Sequence, residues 1–271
     1  MRRVFAGIAA VLMAASLSAP AFADAAAGSA KGVNPAAAAD LGGAERTLVV
    51  GSDIFIGDLV KTGPKGQVQI LFADNTKLVV GPQSALKIDD YLLRNDGSAG
   101  KFAVDMLSGT FRFATGNGPK PSYELNTPTG TIGVRGTQFD VYVSPTDGST
   151  MILHYLGTVL FRAKGESKWT TLHDLCTLGQ ITSRAAVLGS AKVTTGDFRT
   201  QLKTEFRYAD NQSPLLRPFW FARAYECLHN PPEAATPPSI GTPNTGDQDT
   251  PPPTQSGTPP GRLDIGSLTH H

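Results

Sequence analysis

Residues 126–143 read Asn126-Thr127-Pro128-Thr129-Gly130-Thr131-Ile132-Gly133-Val134-Arg135-Gly136-Thr137-Gln138-Phe139-Asp140-Val141-Tyr142-Val143. The second half alternates, with Phe139, Val141 and Val143 on one face and Gln138, Asp140 and Tyr142 on the other. A period of two in aromatic and β-branched residues predicts a half-buried strand. In the first half Gly130, Gly133 and Gly136 recur at every third position. Glycine inside a strand pattern marks a bulge, a bend or the close approach of another backbone. A bent, glycine-rich β segment therefore runs through Arg135 into a regular strand.

On both sides of this stretch, over residues 47–193, short strand patterns recur about every ten residues, separated by turn chemistry. Val68, Ile70 and Phe72 alternate with Gln67, Gln69 and Leu71, and Ala73-Asp74-Asn75-Thr76 follows as a turn. Leu78 and Val80 resume the apolar face until Gly81-Pro82 breaks it. Further runs cover 102–107, 110–114, 122–125, 151–156 and 158–163, with Gly157 between the last two and Asp147-Gly148 as a hairpin signal. The predicted fold is mainly β: an antiparallel sandwich or jelly-roll-like body, with an irregular β-solenoid as the second choice. After Gly196 the period turns helical. Phe198, Leu202 and Phe206 are spaced i, i+4, i+8, and Ser213-Pro214 opens a second helix carrying Leu215, Leu216, Phe219, Trp220 and Tyr225.

The ends are different material. Arg2-Arg3, the apolar run 4–17 and Ala21-Phe22-Ala23 predict a signal peptide over residues 1–23, cleaved before Asp24. The apolar run is shorter than the ~20 residues of a membrane span, so the expected mature chain is periplasmic or secreted and has no span. Residues 24–46, rich in Ala and Gly, read as a disordered linker; residues 230–271, dense in Pro, Thr and Gly, read as a disordered tail. Between them lie the β domain at 47–193 and a helical extension at 194–229. Net charge is +1, and removal of Arg2 and Arg3 brings it to −1. That balance gives no field for nucleic acid.

The run TPTGTIGVRGTQFDV at 127–141 resembles the hallmark of the FecR family of bacterial extracytoplasmic domains, a T-P-x5-V-R-G-T-x-F-x-V core. The residues that carry it are Thr127, Pro128, Gly130, Gly133, Val134, Arg135, Gly136, Thr137 and Phe139. GDLVKTG at 57–63, ILFADNTKL at 70–78, GPQSALKI at 81–88 and LSGTFRF at 107–113 are similar to its other elements, in order, over about residues 48–165. The resemblance implies an extracytoplasmic interaction domain. Regulators of the family relay the occupancy of an outer-membrane transporter through one membrane helix to a cytoplasmic sigma-factor-binding segment. This chain departs from that plan, with an expected signal peptide in place of a cytoplasmic segment and no membrane helix. What carries over is a β domain that binds an envelope protein or, alternatively, glycan or cell wall, for which Trp169 and Tyr142 are the candidate stacking residues.

The remaining chemistry is sparse. Gly130-x-x-Gly133-x-x-Gly136 lacks the spacing and strand-to-helix context of a phosphate loop. Arg135, the one charge inside an apolar motif, is expected to strap the bend's carbonyls or to pair with Asp140, with anion contact as the alternative. No nucleophile elbow, zinc-protease motif or paired carboxylates appear, so the chain reads as a non-enzyme without a cofactor. Cys176 and Cys227, exported to an oxidising compartment, most simply form one disulfide of about 3–4 kcal/mol on the chain-entropy model. Two histidines, in His173-x-x-Cys176 and Cys227-x-His229, keep a zinc site open as an alternative, and free thiols are a third.

Overall fold

The computed structural model describes residues 26–117, 123–189 and 196–229. The expected signal peptide and the tail lie outside them. Four strands come first: β1 (Gly28–Asn34), β2 (Ala37–Leu41), β3 (Ala44–Thr47) and β4 (Asp53–Ile54). Next come β5 (Leu59–Thr62), β6 (Gln67–Phe72), β7 (Lys77–Val80) and β8 (Ala85–Leu93). The long strands β9 (Ala99–Ala114), β11 (Gly130–Val143) and β12 (Thr150–Ala163) follow, with the short β10 (Tyr123–Asn126) among them. β13 (Thr170–Leu172), β14 (Leu178–Ile181) and β15 (Ala186–Gly189) close the series.

All belong to one mixed sheet, folded over on itself. Each long strand bends at a glycine of positive φ: Gly109 in β9 (102°), Gly136 in β11 (63°) and Gly157 in β12 (83°). Before its bend β9 pairs with β8 and, in parallel, with β10; after it, with β7 and β11. β11 pairs with β10 before Gly136 and with β9 after it. The runs expected as separate strands at 102–107 and 110–114, and at 151–156 and 158–163, are thus the two arms of β9 and of β12. One layer holds β4, β1, β6 and β7, the later arms of β9 and β11, then the first arm of β12, β14 and β15. The other holds β3, β2, β5 and β8, the first arm of β9, β10, the first arm of β11, the later arm of β12 and β13. Aromatic rings meet between them: Phe72 of β6 lies 4.9 Å from Phe102 and 5.7 Å from Tyr91, and Phe113 lies 5.7 Å from Phe102. Phe111, Phe139, Val141, Val143, Ile132 and Phe161 fill the same core.

The segment read as a disordered linker is structured and part of this body. Its alanines carry little hydrophobicity, yet Ala30, Ala37 and Ala39 are buried in the core of the body. β1 lies between β6 and β4, and β2 pairs with β5. Arg46 in β3 donates to Asp58 Oδ1 at 2.7 Å, a buried carboxylate that also accepts from the Phe55 N–H. The body therefore begins before residue 47.

After the strands come α1 (Gly196–Glu205), α2 (Arg207–Asp210) and α3 (Ala224–His229). The helix expected to start at Ser213-Pro214 is replaced by a turn at 213–215, a single 3-10 turn, Arg217–Phe219, and only then the short α3, which holds Tyr225. Pro218 has no N–H to give a helix, and the Leu216 N–H is taken by Gln69 Oε1 at 2.8 Å. This C-terminal segment covers the outer side of the first layer, burying Leu202, Phe206, Phe221 and Leu228 against Met151, Leu153 and Tyr155, and Leu215 and Phe219 beside Val79. No helix among the described residues is long and apolar enough to cross a membrane, which says nothing of strands.

Candidate functional site

The motif stretch is a bend with a buried inner face. Val134, Thr137 and Phe139 are buried, and β11 and β12 lose register around Arg135–Gln138. Gly136 and Gly157 stack across that irregularity: a Cβ on Gly157 would overlap the Gly136 carbonyl oxygen. A side chain at either position meets a φ that L-residues avoid, and at 157 it also meets backbone. The space of a Cβ at Gly130 is filled by the Arg162 carbonyl, whereas Gly133 faces the edge of the Trp169 ring. The Thr127 Oγ1 accepts from the Gly130 N–H at 3.1 Å, closing the turn that holds Pro128. The Thr137 N–H donates to Thr115 Oγ1 at 2.9 Å.

Arg135 does not strap the bend. Its side chain is exposed, and Asp140 is held by Arg112 instead. Arg112, flanked by Phe111 and Phe113 in β9, is 1% exposed, with Nε at 2.7 Å from Asp140 Oδ1 and Nη2 at 2.8 Å from Oδ2. Tyr155 donates to Asp140 Oδ2 at 2.8 Å, and Arg112 Nη1 reaches Gln212 Oε1 at 2.5 Å. The guanidinium lies over the rings of Phe221 (4.4 Å), Tyr208 (5.7 Å) and Tyr155 (5.8 Å). Burial works against the Arg112 charge, but Asp140 outweighs it and holds the group above its usual value. Burial, then the Asp140 charge, pushes the Tyr155 phenol up.

From this centre a polar seam runs along the covered face. Tyr208 donates to Gln67 Oε1 at 2.7 Å, Gln67 Nε2 donates to the Pro214 carbonyl at 3.2 Å, and Thr110 Oγ1 donates to the Glu205 carbonyl at 3.0 Å. Cys176 and Cys227 are joined in a disulfide that fastens the end of the cover to the segment after β13. His173 and His229 serve elsewhere: His173 stands beside Asp174, and His229 beside Asp210. Sequence reasoning passed over Arg112 because Phe111-Arg112-Phe113 alternates like any strand with one wet face. The second polar alternation, Gln67-x-Gln69, was the available hint of a face that meets protein.

Two other buried carboxylates, Asp58 and Asp74, are likewise consumed by the fold. Asp74, at the β6–β7 turn, accepts from Tyr123 Oη (2.7 Å), Thr76 Oγ1 (2.7 Å) and the Thr76 N–H (3.1 Å). Trp169 is half-exposed, but one ring face is covered by Arg162 at 4.4 Å, and Tyr142 is half-buried under the cover.

Among the described residues nothing covers the outer side of the second layer. A groove of about 430 Å³ crosses it, lined by Asp105, Leu107, Asn126, Thr127, Pro128, Gly130, Thr131 and Lys164. Leu107 is the extra residue at a register shift between β8 and β9, and its side chain stands in the open. Asp105 and Lys164 have no ion-pair partner among the described residues. An apolar floor with one carboxylate and one ammonium outside any ion pair, the carboxylate accepting from Asn126 Nδ2 at 3.4 Å, suits recognition of another chain. Of the motif residues, the structure brings Thr127, Pro128 and Gly130 to this groove, and leaves Val134, Thr137 and Phe139 to the interior.

Residues 58–160 match the family model described as FecR protein. No curated protein matches the chain. Two crystal structures of a candidate anti-sigma factor from Parabacteroides distasonis ATCC 8503 align with part of this chain, each at 13% identity. The first aligns with a TM-score of 0.40 over 55% of this chain and 74% of that one; the second, with 0.39 over 50% and 62%.

Proposed function

From the premise that residues 58–160 carry a FecR domain, we propose that the protein is a non-catalytic, extracytoplasmic interaction module. It works in envelope signalling or assembly by binding another protein. The observation that carries this reading is the contrast between the two outer faces. One is sealed by the chain's own C-terminal segment, and the other keeps a groove lined by Thr127, Pro128 and Gly130 of the family motif. The disulfide suits an oxidising compartment, and Ala21-Phe22-Ala23 supplies the route to it.

Two measurements test the reading. Material from the periplasm should give the N-terminal sequence Asp-Ala-Ala-Ala; intact Met1 in the membrane fraction would overturn export. A photo-crosslinker at Leu107 should trap a protein from envelope extract, and Lys164→Glu should abolish that adduct. Retention on peptidoglycan or glycan with no protein adduct would favour the cell-wall alternative.

A further inference from the structure

We propose that a second pocket, between the C-terminal cover and the body, binds an organic cation: a single alkylammonium group such as a lysine side chain presents. The pocket holds about 230 Å³ and is lined by Tyr142, Asp147, Met151, Gln180, Gln201 and Glu205, with hydroxyl residues of the β11–β12 turn at its rim. It is separate from the groove on the open face and stands whether or not that groove binds protein.

Three observations point to this ligand. Among the described residues no basic side chain lines the pocket, although two carboxylates do. Glu205 is 9% exposed; its Oε1 accepts from Gln201 Nε2 at 2.9 Å, while Oε2 is buried with no hydrogen-bond partner. A buried carboxylate oxygen left unpaired is costly, so a site that keeps one is suited to a donor from outside the chain. Asp147 is held ionised by Ser144 and Ser149, and the Tyr142 phenol, raised first by burial, also feels the charges of Glu205 and Asp147. Both carboxylates line the same pocket as that ring.

The volume and the donors select an organic cation over a metal ion. Calcium takes about 6–8 oxygen ligands, usually with several carboxylates, and the described residues hold no group of three metal-binding side chains. The Met151 thioether and the Tyr142 ring offer an apolar flank to a methylene stem.

The test uses n-butylammonium chloride with the full chain. Titration should move the Met151 methyl and the Gln180 and Gln201 side-chain amide resonances along a saturable curve. Glu205→Gln keeps an acceptor for Gln201 and should weaken binding by about tenfold or more, the loss of one close charge; Asp147→Asn should weaken it less. Shifts that never saturate, equal binding by Glu205→Gln, or saturable binding of calcium chloride without butylammonium would each overturn the assignment.

Discussion

Arg112 and Asp140 are direct partners across β9 and β11, in register and joined by two hydrogen bonds of 2.7 and 2.8 Å. Both occupy outward positions, where strand alternation by itself would leave them in water. The C-terminal cover converts that side into a second interior, and Gln212 ties it to the pair by accepting from Arg112 while bonding both the N–H and the carbonyl of Phe221. The ion pair is thus a point at which the cover is tied to the body.

Breaking this pair on one side should be worse than removing it. Asp140→Asn leaves a guanidinium buried without its counter-charge, and such changes cost about 3–5 kcal/mol. Arg112→Met combined with Asp140→Leu removes both charges and should restore most of that loss. Urea unfolding of Arg112→Met, Asp140→Leu and the double closes the cycle. Additive losses would mean that the pair is not coupled.

At the bend, Gly136→Val should destabilise by about 1–3 kcal/mol through backbone strain at positive φ. Arg135→Ala should fall within about 0.5 kcal/mol, as for other exposed side chains. Gly157→Ala should exceed a Gly136→Ala change, because open space surrounds 136 while the Gly136 carbonyl blocks 157. Thermal melts of the four variants give the order, and a Gly136→Val protein melting like the parent would remove the bend from the account.

The motif was legible because its information is local. Glycine spacing and the Phe139-Val141-Val143 alternation determine the bend and the strand within a dozen residues. The N-terminal strands were not, since Ala30, Ala37 and Ala39 carry little hydrophobicity and gain their place only from β6 and β5. Arg112 was missed for a related reason. Its partners Gln212, Tyr208 and Phe221 lie about a hundred residues away, so no window around 112 contains them. Arg135 drew attention in its stead because it sits in the motif, where charge is conspicuous but, as it proves, solvated. Among the cysteines, compartment and count pointed to the pairing the structure holds.

Glu205 gives the protein a pH signature. Burial raises its carboxyl above the ordinary 4.5, with Gln201 opposing. The native state then holds a proton that the unfolded chain releases near 4.5, so stability from this residue is fully present below that pH and declines as pH rises through the native value. Glu205→Gln should therefore raise the melting temperature at pH 7 and leave it unchanged near pH 4. A variant less stable than the parent at pH 7 would show that the carboxylate is compensated after all.

The disulfide joins chain ends that the rest of the cover does not hold equally. Cys176 and Cys227 stand 51 residues apart, and closing a loop of that length contributes about 3–4 kcal/mol on the chain-entropy model. Between them, α1 and α2 are anchored by Leu202, Phe206 and Tyr208 and by the seam to Gln67, whereas α3 is six residues long and packs through Ala224, Cys227 and Leu228. Loss of the bridge should accordingly free the cover from its C-terminal end while the β body stays folded. Cys227→Ser should lower the melting temperature and open the stretch 211–214 to protease before any cut appears within β5 to β12. The thiol count comes first. Denatured, non-reduced protein from the periplasm should carry no reactive thiol, and two titratable thiols would remove the bridge and this order of unfolding together.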